Sequence, residues 1–353
     1  MMKWDKILLW AGGVLILYSI IFGLAIPLKP GIINLEPFNV KTGESTELKI
    51  GGYNTSFDAN RIPDVYLKFS DKQFLKLENV KVNSKSELTV SLILPKFLPL
   101  NEKVTSTVLI VNDKTDGAMV KPNALSVVQD SVNPSLSGLI FLTEPIGKLN
   151  HPSGKFFPFR LILEETIRNT YYHVPLWFAM MIVLLYAAFK SYRYLRTKNS
   201  KDDSYANSAT AVGLILGLFG LATGAIWAKF TWGEYWSGDV KQNMTAIFLL
   251  IYGAYFVLRS AIDDDQRSAT LAGAYNIFAF LAMIPLLFVI PRMTDSLHPG
   301  NGGNPAMGGE DLDNTMRMIF YPACLGWIFF SLAISIILGR YLNLKYKYDY
   351  ESQ

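Results

Sequence analysis

Three histidines, His151, His173 and His298, are the only imidazoles in this 353-residue chain. Imidazole is the side chain most often used to hold a transition metal. A second kind of chemistry lies in one stretch, Trp227-Ala-Lys-Phe-Thr-Trp-Gly-Glu-Tyr-Trp-Ser-Gly-Asp239, which packs three tryptophans and a tyrosine into thirteen residues. Indole faces stack on flat ligands. They also settle at membrane interfaces, so an ordinary aromatic belt is the competing reading. If this stretch is helical, Trp232, Trp236 and Asp239 fall at i, i+4 and i+7 and form an aromatic shelf with a carboxylate at its end. The single cysteine, Cys324, lies inside an apolar run and reads as a packed residue; with no Cys-x-x-Cys, thiol redox chemistry within the chain is excluded.

The elements that position these residues are of two kinds. Half of the residues are hydrophobic and the mean hydropathy is positive, which is the composition of a multispanning membrane protein. Apolar runs cover 7–28, 174–189, 204–228, 242–258, 268–291 and 318–339, predicting six transmembrane helices. The first run is long enough to be a retained span rather than a cleaved signal. Between the first and second runs the pattern changes to short alternating segments at 46–50, 64–69, 74–82, 87–94 and 104–111. Gly51-Gly52, Asn83-Ser84 and Asp116-Gly117 read as the turns between them. The fold class is therefore an α-helical polytopic membrane protein with an inserted β-sandwich domain, immunoglobulin-like in the resemblance of Asn34-Leu-Glu-Pro and Leu48-Lys-Ile-Gly-Gly-Tyr53 to IPT/TIG modules. Expected boundaries are 1–28 for the first helix, 29–155 for the sandwich and 156–353 for a five-helix membrane domain. Residues 159–168 have the spacing of an interfacial amphipathic helix. His151, in Asn-His-Pro-Ser-Gly, reads as a linker residue.

Charge sets the orientation. The N-terminus, residues 189–207 and 259–267 and the C-terminus carry twelve Lys and Arg, against four in the opposite short loops. Both termini are thus expected in the cytoplasm, with the sandwich, the Trp-rich stretch and residues 292–317 outside. No basic patch suggests nucleic acid. His173 then opens the second span on the outer side, and His298 lies in the outer loop between the fifth and sixth. Two imidazoles and an aromatic shelf on one side suit a flat, apolar ligand with an axially ligated metal, which describes haem. Asp295, Glu310, Asp311 and Asp313 offer carboxylates nearby, in a spacing that fits no Ca²⁺ loop. Gly300, Gly302, Gly303, Gly308 and Gly309 are expected to make the His298 loop mobile. Asp263-Asp264-Asp265 reads as a solvated cytoplasmic loop.

Three segments carry a resemblance to a family. Trp227–Asp239 resembles the tryptophan-rich WGxxWxWD motif of the CcmC/CcsA proteins of cytochrome c biogenesis, with Trp232, Gly233, Trp236 and Asp239 in register. Tyr172-His-Val-Pro175 resembles the family's first external histidine and Asp295-Ser-Leu-His298-Pro-Gly its second. The six spans and the order of motifs point to the CcmC branch. The resemblance implies non-covalent, transient binding of b-type haem at the outer face of the bacterial inner membrane. His173 and His298 would be axial ligands, and Trp227, Trp232, Gly233, Tyr235, Trp236 and Asp239 would form the platform. It implies delivery to a periplasmic haem chaperone beside ABC-type haem exporter subunits. Two departures stand out: Gly238 occupies the motif's last Trp position, and Pro291-Arg-Met-Thr294 lacks the family's paired Trp. A smaller shelf and weaker haem binding are expected.

No general acid, base or nucleophile is poised for covalent chemistry, so the chain reads as a carrier rather than an enzyme. A solute transporter would need ionisable residues inside the spans, and the five later runs hold essentially none. A membrane-anchored receptor or scaffold, with the sandwich as its binding module, is the remaining alternative.

Overall fold

The computed structural model describes residues 3–71, 73–136, 148–298 and 312–351. The chain divides into two compact units, residues 27–164 and residues 1–26 with 165–353.

Among the described residues, 27–164 build one curled, eight-stranded sheet. Its strands are β1 (Gly31–Glu36), β2 (Asn39–Lys41), β3 (Ser45–Tyr53), β4 (Asp64–Ser70), β5 (Gln73–Ser84), β6 (Glu87–Ile93), β7 (Val104–Asp113) and β8 (Gly117–Val128), in the spatial order β1-β3-β6-β5-β4-β7-β8-β2. β5 belongs to both halves. Its first residues pair with β4, and residues from Glu78 onward pair with β6. The switch coincides with Asn79, whose φ of 54° bends the strand. Alternating side chains from both halves, among them Leu48, Ile50 and Val90 on one side and Leu67, Leu109 and Val127 on the other, close over a single core.

Two expectations about this unit change. Gly51 and Gly52 are not a turn but lie inside β3, where the Asn34 side chain crowds Gly51 and leaves no room for a Cβ. β1, β2 and β8 were not foreseen. β2 is only three residues long, and Pro122 and Asn123 interrupt the alternation of β8. Asp113 makes the β7–β8 turn by accepting from the amides of Thr115 and Asp116, and Gly117 follows at φ 80°.

Among the described residues, the other unit contains six helices long and apolar enough to cross a membrane. They are α1 (Lys3–Ala25), α2 (Thr170–Thr197), α3 (Ser200–Trp232), α4 (Val240–Ser260), a helix that runs from α5 (Asp265–Met283) through a π-helical segment (Ile284–Val289) into α6 (Ile290–Met293), and α7 (Asn314–Glu351). At 1.5 Å per residue even α4, the shortest of them, reaches about 30 Å. The second span, expected to be short, is extended by polar and aromatic residues at both ends to 28 residues. Glycines let the helices close on one another: a Cβ on Gly12 would lie 2.6 Å from the Phe330 nitrogen. Leu176, Met180, Val183, Leu216, Phe248 and Tyr252 form part of the shared core of α2, α3 and α4.

The amphipathic helix expected over 159–168 does not form. Glu164 takes φ 43°, which breaks it, and only a 3₁₀ segment, Glu164–Asn169, follows. Arg168 from that segment donates to the carbonyls of Gly23 and Ile26, both at 2.7 Å, and so satisfies carbonyls left open at the end of α1. Asp263, Asp264 and Asp265 are exposed, and Asp264 has a second role. It is the N-cap of α5 and accepts from the Arg267 amide.

Candidate functional site

α3 ends where the Trp-rich stretch begins its turn. Trp232 is its last residue, and Gly233, at φ 88°, closes it with an N–H to the Lys229 carbonyl at 3.1 Å. Trp232, Trp236 and Asp239 therefore do not share a helical face. Residues 234–238 form a loop, and Asp239 is the N-cap of α4, accepting from the Lys241 amide at 2.8 Å. The first turn of α4 holds the loop in shape. Gln242 accepts from the Ser237 amide at 3.0 Å and donates to the Tyr235 carbonyl at 3.2 Å, while Asn243 accepts from the Trp236 indole and donates to the Gly238 carbonyl.

Asp239 does more than cap. Its Oδ1 lies 2.9 Å from His298 Nδ1 and its Oδ2 accepts from the Leu297 amide at 2.8 Å, so one buried carboxylate ties the end of residues 294–298 to the start of α4. Burial acts to raise this carboxyl, but the Leu297 amide, the Ser296 side chain, the Lys241 amide and His298 outweigh it and hold the group below the ordinary carboxylate range. Burial lowers the His298 imidazole below its ordinary value against the opposing pull of Asp239, with Lys241 acting in the same direction as burial. Both directions favour a carboxylate beside an uncharged imidazole at neutral pH. The proton sits on Nδ1, and Nε2 presents a lone pair.

Two of the predicted aromatic residues gather around this imidazole. Trp232 meets it edge-to-face with centroids 4.8 Å apart, Trp227 lies at 6.2 Å, and the two indoles contact each other at 5.1 Å. Tyr235 and Trp236 do not join them. Tyr235 is 60% exposed beneath Lys229, and Trp236 is 42% exposed with its N–H on Asn243. The shelf is thus an aromatic corner about His298 rather than a flat platform. Gly238 has φ 74° with open space around it, a backbone that L side chains rarely adopt.

His173 is positioned by α2 and α3. Its Nδ1 lies 3.0 Å from the Gly220 carbonyl and 3.1 Å from the Thr223 hydroxyl, and its Nε2 accepts from the Trp177 indole at 3.1 Å. The ring fits because α3 is bare there: a Cβ on Gly224 would come within 2.7 Å of His173 Cε1, and one on Gly220 within 2.8 Å of the Trp177 ring.

His173 and His298 line the same cavity, of about 220 Å³. Met180, Met181, Leu221, Leu287, Phe288 and Pro291 make most of its wall apolar, and Lys241, Gln242 and Thr245 bring polar groups from α4. Leu287 and Phe288 come from the π-helical segment, a distortion frequent at functional sites.

Of the residues singled out from the sequence, the structure brings His173 and His298 to one cavity and Trp227 and Trp232 beside His298, and leaves Trp236 and Tyr235 apart. Sequence reasoning missed Trp177, Thr223, Gln242, Asn243 and the Gly220/Gly224 pair. The helical spacings of His173 to Trp177 and of Gly220 to Gly224 were available as signals. His151 is exposed in an irregular segment after the sheet. Among the described residues no group of three or more His, Cys, Asp or Glu could hold a metal ion. Of the acidic candidates, Asp313 accepts from the Met316 amide at 2.8 Å, while Glu310 and Asp311 lie outside the described residues, as do Gly300, Gly302, Gly303, Gly308 and Gly309.

Comparison with known families matches residues 119–350 to CcmC, described as Heme exporter protein C. The chain belongs to the CcmC family. It is 27% identical over 175 residues to Heme exporter protein C of Paracoccus denitrificans (strain Pd 1222), an alignment covering 50% of this chain and 72% of that protein. It is 28% identical over 160 residues to Heme exporter protein C of Bradyrhizobium diazoefficiens, covering 42% of this chain and 56% of the relative. A shorter alignment gives 40% identity over 79 residues with the cytochrome c biogenesis protein CcsA of Synechococcus sp. (strain CC9311), 22% of this chain and 26% of that one.

Proposed function

We propose that this CcmC-family protein binds haem at the outer face of the bacterial inner membrane and passes it to a periplasmic haem chaperone for cytochrome c maturation, beside ABC-type exporter subunits. The observation that carries this reading is that His173 and His298, on separate elements, line one largely apolar cavity. The relatives' names, Heme exporter protein C, point the same way.

The donor set suits the group. Haem supplies the iron and the apolar macrocycle. The chain supplies two imidazoles, each with Nδ1 engaged by a protein acceptor, so that Nε2 would be the ligating nitrogen of each; on His173 that nitrogen accepts from the Trp177 indole. Asp239 strengthens His298 as a donor and fixes its ring plane. Trp227 and Trp232 supply edges and faces beside it, worth about 0.5–1.5 kcal/mol per aromatic contact beyond area. The Met180, Leu287 and Phe288 walls exclude water. Binding is by ligation and packing alone, as b-type haem that can leave again, and among the described residues none is arranged for covalent catalysis.

The twelve-to-four bias of basic residues supports cytoplasmic termini, which puts both histidines and the sheet domain outside. In this assignment residues 156–353 hold the haem site, residues 1–28 are the first transmembrane helix, and residues 29–155 form an external module. Its shared core between two sheet halves supports the immunoglobulin-like sandwich reading. The presence of that whole unit also favours a second function as a docking scaffold.

The test is an absorption spectrum of the detergent-purified protein beside His173→Ala and His298→Ala. A low-spin Soret and α/β pattern that weakens in both variants is expected. Haem retained equally by both variants sinks the ligand assignment and moves the weight to the scaffold function.

A further inference from the structure

Trp177 stands one helical turn after His173 on α2, and its indole N–H donates to His173 Nε2 at 3.1 Å. The rest of the ring's bonding fixes what that contact means. A carbonyl only accepts, so the bond between Nδ1 and the Gly220 carbonyl places the ring proton on Nδ1. The Thr223 hydroxyl is within 2.9 Å of the Phe219 carbonyl and 3.0 Å of the Gly220 carbonyl, so its own proton has an acceptor and its oxygen can receive from Nδ1. Nε2 is left with the lone pair, and Trp177 covers it. That lone pair is the one an iron would use.

The two imidazoles of the cavity are therefore unequal. His298 is braced from behind by a buried carboxylate, and among the described residues no hydrogen bond reaches its Nε2. His173 is braced from behind by a backbone carbonyl and blocked in front by an indole. The cavity, at about 220 Å³, is also smaller than the roughly 300–1,000 Å³ usual for ligand pockets. Trp177 lines it, so swinging the indole aside frees the lone pair and widens the space in one movement.

We propose that Trp177 is a displaceable cap on His173: its N–H occupies the ligating nitrogen, yields to an incoming metalloporphyrin and retakes that nitrogen as the porphyrin leaves. This rests on the haem site proposed above and adds to it an anchored ligand, His298, and a releasable one, His173. Trp177 acts through His173 and is a positioning residue. Its N–H competes with the iron, so it weakens binding and speeds release, which suits a protein that hands its ligand on.

The experiment compares wild type with Trp177→Phe, which keeps an aromatic ring and removes the donor. A second variant carries benzothienylalanine at 177, which keeps the bicyclic shape with sulfur in place of N–H. Each is titrated with haemin by its Soret band, and release is followed by transfer to excess apomyoglobin. Both variants are expected to bind haemin about two- to tenfold more tightly, the equivalent of one neutral hydrogen bond, and to release it correspondingly more slowly. Equal or weaker binding in both overturns the cap. A readout without haem separates the two ideas. The ¹⁵N resonance of His173 Nε2 is expected to move toward that of an unbonded lone pair in the variants, and an unmoved resonance overturns the cap by itself. Wild type that takes up no haemin at all overturns the haem site, and the cap's competition with iron falls with it, whatever the nitrogen resonance shows.

Discussion

The Asp239 carboxylate meets His298 Nδ1 at 2.9 Å while the same oxygen caps α4 through the Lys241 amide. One side chain thus does two jobs, and substitutions separate them. Asp239→Asn keeps an acceptor for the cap and loses the charge. It is expected to leave the fold intact, to weaken haem binding, and to raise the reduction potential of bound haem, because His298 becomes a poorer donor. Asp239→Ala removes cap and brace together. Loss of an N-cap costs about 1 kcal/mol and each hydrogen bond to a charged group about 1.5–3 kcal/mol. Thermal unfolding and potentiometric titration of the two variants check this. An Asn variant with the potential and haem affinity of wild type would show that the charge is irrelevant, and an Ala variant no less stable than Asn would show that the cap contributes nothing.

The seat of His173 is made by absence. A methyl group on Gly224 would press on the imidazole, and one on Gly220 on the Trp177 ring. Gly224→Ala is expected to displace His173 and cut haem affinity at least tenfold, although the residue offers no ligand, while Gly253→Ala, which meets open space, serves as a control with no effect. Haemin titration of the three proteins gives the answer. An unaltered affinity in Gly224→Ala would mean that the ring has other room.

By the resemblance drawn from the sequence, Gly238 stands where the motif would carry its last tryptophan, and its φ of 74° makes a tryptophan there costly. Gly238→Trp is expected to lose about 1 kcal/mol or more of stability from the left-handed backbone. It is not expected to tighten haem binding, since the neighbouring Trp236 points its N–H to Asn243 and stands exposed. A variant that is as stable as wild type and binds haemin more tightly would show that the loop rearranges to rebuild the shelf.

Arg168 closes the end of α1 through the Gly23 and Ile26 carbonyls. Arg168→Ala is expected to lower the unfolding temperature by several degrees, with Arg168→Lys recovering part of the loss, because a lysine carries charge but cannot reproduce the planar fork. Protection of the α1 amides in hydrogen exchange should fall in step.

How much of this could be seen beforehand depends on the kind of signal. That His173 and His298 belong together could be suspected because imidazole is scarce in the chain and the charge bias predicts one side for both, and they line one cavity. The spans were legible because apolar runs of that length have few other uses. The geometry between Trp232 and Asp239 was not, since it turns on Gly233 and Gly238 taking positive φ, which a helical-wheel argument cannot foresee. Trp177 and Gly220 escaped notice for a different reason. Their significance lies in a facing helix: the Gly220 carbonyl matters only because α2 brings His173 to it. Strands 64–70, 87–93 and 104–113 followed from their alternation, whereas β8 was hidden by the proline and asparagine in its middle.

The sheet unit has its two chain ends stitched together. Lys29 donates to the Phe157 carbonyl at 2.8 Å, and the Phe157 amide donates to the Pro27 carbonyl at 2.9 Å. Seen from the helices, everything between these residues is therefore spliced in like the loop of a hairpin, and its closure entropy is settled within the unit itself. Such a cassette could be cut out at residues 28 and 157 and the ends rejoined by a few glycines without asking α1 and α2 to move. The same stitching would let an unrelated domain with neighbouring termini be grafted in its place.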